Sequence, residues 1–135
     1  MVRGGLSARG TLSFMRLLAI LGIAVSLVFA QPSRPVETFS TSAGPLKVTP
    51  IRHASMMIEA GGKVIHVDPW SQGNYEGLPK ADIILVSDIH GDHMDPQAIA
   101  AIRKASTVII APQAVAQTVT EAQALGNNQS TTVDG

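Results

Sequence analysis

Ile84-Leu85-Val86-Ser87-Asp88-Ile89-His90-Gly91-Asp92-His93-Met94-Asp95 decides how this chain is read. An apolar run stops, and Asp88, His90, Asp92 and His93 follow within six residues. Two of the four histidines lie here, and the sequence has no cysteine. Imidazole and carboxylate donors without sulfur suit Zn, with Mn or Fe as alternatives. Residues i and i+2 of an extended segment point the same way, so Asp88, His90 and Asp92 are expected to converge while His93 turns aside. Such a loop could serve two adjacent ions, one on Asp88 and His90, the other on Asp92 and His93. Gly91 relieves crowding where the loop folds around them. Two ions can share a water, lower its pKa, and polarise a bound ester, lactone, amide or phosphate. The plain alternative, a polar turn capping the next helix, is adopted for Asp95 alone.

The flanks read as a layered sheet. Residues 82–87 form an apolar run bounded by turn signals, as a strand buried on both faces does. Upstream, residues 46–51 alternate, with Pro50 confining that strand to an edge or an end. Residues 54–59 and 63–67 make a hairpin through Ala60-Gly61-Gly62, and Asp68-Pro69 ends it. The loop 70–80 carries the only Trp and the only Tyr. Trp70 and Tyr75 could line a substrate mouth or cover a core edge. Downstream, Asp95 as N-cap and Pro96 at the first position start a helix expected to reach Lys104, with Arg103 and Lys104 in its last turn. A strand at 107–111, a helix at 112–125 closed by Gly126, and a strand starting at 130–133 complete the order. The class is α/β: a β-hairpin region followed by β-loop-α-β-α-β.

The first thirty residues read as an export signal. Arg3, Arg9 and Arg16 make a basic region, residues 17–30 are uncharged and apolar, and Val28-Phe29-Ala30 offers a cleavage site before Gln31. Fourteen residues rising about 1.5 Å each span about 21 Å, short of the roughly 30 Å hydrocarbon core. A cleaved signal is therefore expected, with membrane contact only through this segment if it stays uncleaved. Met15 opens an ordinary signal by itself and is the expected true start. Residues 31–45 read as a linker and 46–135 as a partial domain. Ten Lys/Arg less three arginines leaves seven against ten Asp/Glu, so the mature net charge is about −3. No basic surface remains for a phosphate backbone, so the expected partner is a small-molecule substrate rather than nucleic acid. The expected location is periplasmic or extracellular, and without cysteine there are no disulfides or thiolate ligands.

At the ligand cluster, S-D-I-H-G-D-H-M-D resembles the H-x-H-x-D-H motif of the metallo-β-lactamase fold superfamily. Within it, the chain is similar to the ascorbate-6-phosphate-lactonase-like branch of Zn-dependent hydrolases. Arg52-His53-Ala54-Ser55, Gly61-Gly62 and Asp68-Pro69-Trp70 resemble that branch's amino-terminal hairpin, and the likeness covers residues 46–134. It implies the amino-terminal half of an αββα sandwich, a metal-dependent hydrolase activity, and a divalent metal, with two ions in a complete domain. Asp88 and His90 would hold the first ion. Asp92 and His93 would hold the second, and Asp92 also takes the catalytic assignment. Asp88 departs from the motif, placing a carboxylate where an imidazole is usual. Asp68 resembles an Asp that orients the site, with a simple Asp-Pro turn as the alternative. His53 sits where the branch's hairpin histidine lies, but a lone histidine near a strand end reads first as structural or exposed. His66, inside a strand, reads as structural.

A calcineurin-like phosphoesterase also opens with a strand and D-x-H-G. Its G-D-x-x-D and G-N-H-[DE] blocks do not occur in residues 94–135, which contain no histidine. A complete domain of the resembled family is roughly twice as long as the mature chain and draws further ligands from its second half. The expectation is thus a truncated product that binds metal weakly and is inactive alone. A non-catalytic remnant or metal-binding protein is the alternative.

Overall fold

The structure is a computed structural model and describes residues 34–133; the export signal expected over residues 1–30 lies outside the described residues. Gly61 (φ +56°) and Gly62 (φ +77°) both adopt the left-handed conformation, forming a two-residue turn between β3 (Ser55–Ala60) and β4 (Lys63–Val67). This hairpin is the centre of a mixed sheet that also holds β1 (Glu37–Thr41), β2 (Gly44–Arg52), β5 (Ala81–Leu85), β6 (Arg103–Ala111) and β7 (Gln123–Ala124), in sequence order. Strands β1 to β4 pair antiparallel; β4 to β7 pair parallel. The parallel pairs require crossovers, and α1 (Pro96–Ile102) and α2 (Gln113–Ala116) lie in those between β5 and β6 and between β6 and β7.

One transverse row carries the buried face: Thr49, Met57, His66, Ile84 and Ile109 are cross-strand neighbours, and none is more than 4% exposed. Ile99 and Ile102 of α1, with Val115 and Val119, pack on the Ile84–Ile109 end of that row. Asp95 caps α1, accepting from the Gln97 and Ala98 amides at 2.9 and 3.4 Å, with Pro96 following as expected.

Four expectations are corrected. Residues 37–41, read as linker, form β1. All five of its side chains are exposed, so no apolar alternation marks it. The Thr41 hydroxyl, which donates to the Gly44 carbonyl (2.6 Å) and accepts from the Ala43 amide (3.2 Å), folds the turn into β2. Helix α1 ends at Ile102, because Arg103 and Lys104 already belong to β6. Their charges meet Glu121 and Asp82, each at 2.5 Å, rather than the helix terminus.

The expected helix over 112–125 shrinks to Gln113–Ala116, followed by tight turns. Pro112 offers no side-chain cap, and Thr118-Val119-Thr120 is a β-branched run that loses χ1 freedom in a helix. The chain then pairs with β6 at Gln123–Ala124, and Leu125 donates to the Ala111 carbonyl at 2.9 Å. That pairing takes the place of the strand expected at 130–133, which is irregular. Pro50 lies in an internal strand but past the stretch that β1 pairs, which runs from Gly44 to Val48.

His66 has the structural role expected of it. Its Nε2 lies 3.0 Å from the Pro79 carbonyl, which can only accept, so Nε2 carries the proton. Nδ1 is buried without a partner, and burial pushes the His66 pKa down against the smaller opposing effect of the Pro79 bond. A buried neutral histidine stabilises the fold fully above its unfolded pKa of about 6.5; that stability is lost as pH falls through 6.5 toward the lowered folded value. The melting temperature is expected to drop on the order of 5 °C more between pH 7.5 and 5 in this chain than in His66→Gln. Equal pH slopes would contradict the assignment.

Candidate metal centre

The site is built where β4 and β5 end side by side. Asp68 follows β4 at φ +44°, its amide donating to the Leu85 carbonyl at 2.9 Å and its carbonyl accepting from the Ser55 hydroxyl at 2.5 Å. These bonds fix a carboxylate that is almost fully buried. It accepts from the Ser87 amide (2.7 Å), the Ser87 hydroxyl (2.6 Å) and His93 Nδ1 (2.9 Å). An ionised carboxylate only accepts, so His93 carries its proton on Nδ1 and leaves Nε2 with a bare lone pair. The Asp68 hydrogen bond is also the main reason the His93 pKa lies above its ordinary value, with burial opposing it.

The expected extended loop is instead a turn. The His93 amide donates to the His90 carbonyl at 3.0 Å, and the Met94 amide to the same oxygen at 2.8 Å. Alternation therefore does not govern which side chains meet. Asp88 and His90 pair with each other: Asp88 Oδ1 accepts from the His90 amide at 3.1 Å and lies 2.7 Å from His90 Nδ1. The His90 backbone bond first, then the ring, holds the Asp88 carboxyl below the usual range. His93, expected to turn aside, instead faces Asp92, with Nε2 4.0 Å from its Oδ2.

The third member of the group is His53, read in the sequence as structural or exposed. It occupies the turn between β2 and β3 at φ +51°, and its Nε2 is 3.0 Å from Asp92 Oδ2. Its ring meets the His93 ring edge-on at 5.8 Å. Donor atoms of His53, Asp92 and His93 all lie within 4.8 Å of one another, the one such group of three among the described residues. The sequence signal for His53 was its place in the Arg52-His53-Ala54-Ser55 turn, 39 residues before Asp92.

Two imidazoles and a carboxylate are a donor set that zinc accepts. Ligands at about 2.1 Å from a tetrahedral ion stand about 3.4 Å apart, so the observed 3.0 and 4.0 Å separations need shifts of less than about 1 Å to hold one. The residues present fit a divalent metal.

Around the group, Trp70 lies edge-on to His53 at 6.1 Å, with the Arg52 guanidinium 5.9 Å from its ring centre. Trp70 thus borders the site. Tyr75 covers a core edge, its hydroxyl accepting from the Trp70 amide at 2.9 Å and its ring 5.9 Å from that of His66. Asp95 ties this loop to α1 by accepting from the Ser71 amide at 2.8 Å. Burial works to raise its pKa, but the bonds from Ser71, Gln97 and Ala98 outweigh it and hold the carboxyl low.

Comparison with known proteins agrees with this architecture. The family model described as Beta-lactamase superfamily domain matches residues 47–135. A UPF0173 metal-dependent hydrolase of Thermococcus kodakarensis is 36% identical over 100 residues, covering 67% of this chain and 44% of the relative. Another, of Flavobacterium johnsoniae, is 45% identical over 62 residues, covering 41% and 28%. A solved metal-dependent hydrolase of Parabacteroides distasonis superposes with a TM-score of 0.68 at 38% identity, over 72% of this chain and 45% of that one. The chain spans less than half the length of these relatives. The β2–β4 region joins β5 through the parallel β4–β5 pair and supplies His53 and Asp68 to the site. With its mixed sheet, its loop of N/O donors and the match over residues 47–135, this chain belongs to the beta-lactamase superfamily and holds part of its α/β fold.

Proposed function

We propose that this chain contributes His53, Asp92 and His93 to the centre of an exported hydrolase that uses zinc, with Mn or Fe as alternatives, to cleave a small ester, lactone, amide or phosphodiester. The observation that carries this reading is the Asp68–His93 bond, which presents a bare Nε2 beside Asp92 and His53. A bound divalent ion supplies Lewis acidity and lowers the pKa of a water. The chain's own residues do the rest. Asp68 fixes the His93 tautomer, Asp92 brings an acceptor oxygen to the site, and Trp70 stands edge-on beside His53.

Catalysis in this reading needs further ligands beyond the trio, which makes the chain alone a weak metal binder. A non-catalytic metal-binding role is the second reading. The exposed Asp88–His90 pair favours it, because those two donors are closed on each other rather than turned to the trio. Export rests on residues 1–30 and their basic, apolar and small-residue pattern.

With added Zn or Mn, hydrolysis of generic ester, lactone and phosphodiester substrates by the 135-residue chain is expected to stay within about tenfold of the metal ions alone. Robust turnover abolished by His90→Ala would overturn the incomplete-centre reading. To separate the two readings, residues 34–133 replace the matching part of the Thermococcus relative. A hydrolytic chimera that loses turnover with Asp92→Asn supports the enzyme reading; a folded, metal-loaded and inactive one supports the second.

A further inference from the structure

The loop between β4 and β5 carries Trp70 to the metal site, and a side chain from far upstream holds that loop. Residues 70–80 form neither helix nor strand, and most of them are exposed. Such segments lie at the low-stability end of a fold unless specific contacts fix them. Here the Arg34 guanidinium donates through Nη1 to the Glu76 carbonyl at 3.0 Å and through Nη2 to the Asn74 carbonyl at 2.8 Å. The two carbonyls flank Tyr75, and a planar fork reaches both at once. The Glu76 amide donates to Asn74 Oδ1 at 2.9 Å and closes the turn that presents them.

Strand β1 delivers Arg34 to this place. It runs antiparallel to β2 with Glu37 opposite Val48, so the chain before Glu37 heads for the Arg52–His53 end of β2. Pro35 restricts Arg34 to extended backbone. The loop presses on the same end of β2: a Cβ at Gly73 would lie 2.7 Å from Ile51 Cγ2 and 3.1 Å from Tyr75 Cε2. Only glycine permits that approach. Within the loop, the Trp70 amide donates to the Tyr75 hydroxyl at 2.9 Å, and the Trp70 carbonyl accepts from the Gly73 amide at 2.9 Å. Both backbone polar groups of Trp70 are therefore bonded to the segment that Arg34 clasps.

His53 depends on this arrangement because its side chain is 56% exposed. Two rings stand against its own, Trp70 at 6.1 Å and His93 at 5.8 Å, both edge-on. Ring pairs in this geometry attract each other beyond simple area burial. We propose that Arg34 is a positioning residue for the metal centre, clasping the 74–76 turn so that Trp70 holds the His53 ring toward Asp92. This role rests on the centre of His53, Asp92 and His93 proposed above. Arg34 and β1 both precede residue 47, where the family match begins, so neither belongs to the matched domain.

In the full chain, Arg34→Ala is expected to speed hydrogen exchange of the Trp70, Gly73 and Leu78 amides about tenfold. The Val86 amide, bonded to the Ile110 carbonyl in the sheet, should keep its rate. Zinc affinity should fall about threefold in the same variant, and Arg34→Ala should cost nothing more where Trp70 is already alanine. Unchanged exchange in the loop overturns the inference. So does acceleration shared by Val86, which marks general loosening, and so does a zinc effect that persists in the Trp70→Ala background. If His53→Ala weakens zinc binding and Arg34→Ala does not, the positioning role is overturned. If neither weakens it, the metal-centre reading has failed, and the exchange rates alone decide the clasp.

Discussion

Replacing Asp68 by Asn is expected to weaken zinc binding by about 10–100-fold. The Asp68 carboxylate is the fixed acceptor for His93 Nδ1 and for both donors of Ser87. An Asn keeps one acceptor for the Ser87 amide but turns an NH₂ toward the other two atoms. His93 Nδ1 must then accept, which moves the ring proton to Nε2, where the metal needs a lone pair. Asp68→Ala goes further, stranding the Ser87 amide and removing the counter-charge for His93, at a cost of about 3–5 kcal/mol in stability. Chelator competition measures the first effect, denaturant unfolding the second, and nitrogen NMR shifts of His93 report the tautomer directly. Wild-type affinity in Asp68→Asn would show that Asp68 only builds the turn.

The same bond sets a pH dependence. His93 is raised above about 6.5 by Asp68, so a metal competes with a second proton on that ring to higher pH than at an ordinary histidine. The stability that the protonated ring contributes is full below about 6.5 and is lost as pH rises through the folded value, opposite in sign to His66.

The parts of this architecture legible in the sequence are those where local chemistry and final structure agree. Gly61-Gly62 names its own turn, Asp95-Pro96 its own helix start, and the apolar run at 82–87 a strand, although that strand is Ala81–Leu85 and Ile83 and Leu85 stay partly exposed where burial on both faces was expected. Strand β1 was hidden because an edge strand with every side chain in solvent carries no alternation. Helix α2 was over-extended because Val115 and Val119 repeat at helical spacing, while β-branched residues and pairing at Gln123 end it.

At the site, the loop announced its donors but not their partners. Whether residues 88–93 run extended or turn is settled by two amides on the His90 carbonyl, and that choice pairs Asp88 with His90 and leaves Asp92 for His53. A contact between residues 39 positions apart has no local signature. Only the likeness of the Arg52–Ser55 turn to the family hairpin pointed to it.

The central claim is that the metal site consists of His53, Asp92 and His93 rather than the contiguous loop. For His53→Ala, Asp92→Asn and His93→Ala, zinc affinity is expected to fall at least about 100-fold, about 2.7 kcal/mol each. Asp88→Asn and His90→Ala are expected to stay within about threefold of the unaltered chain, since their side chains are bonded to each other. Isothermal titration of zinc into these five variants at pH 7.5 is the most direct measurement. Loss of binding in the first three, with little change in the last two, is the predicted result. Unchanged binding in His53→Ala together with its loss in His90→Ala would contradict the account.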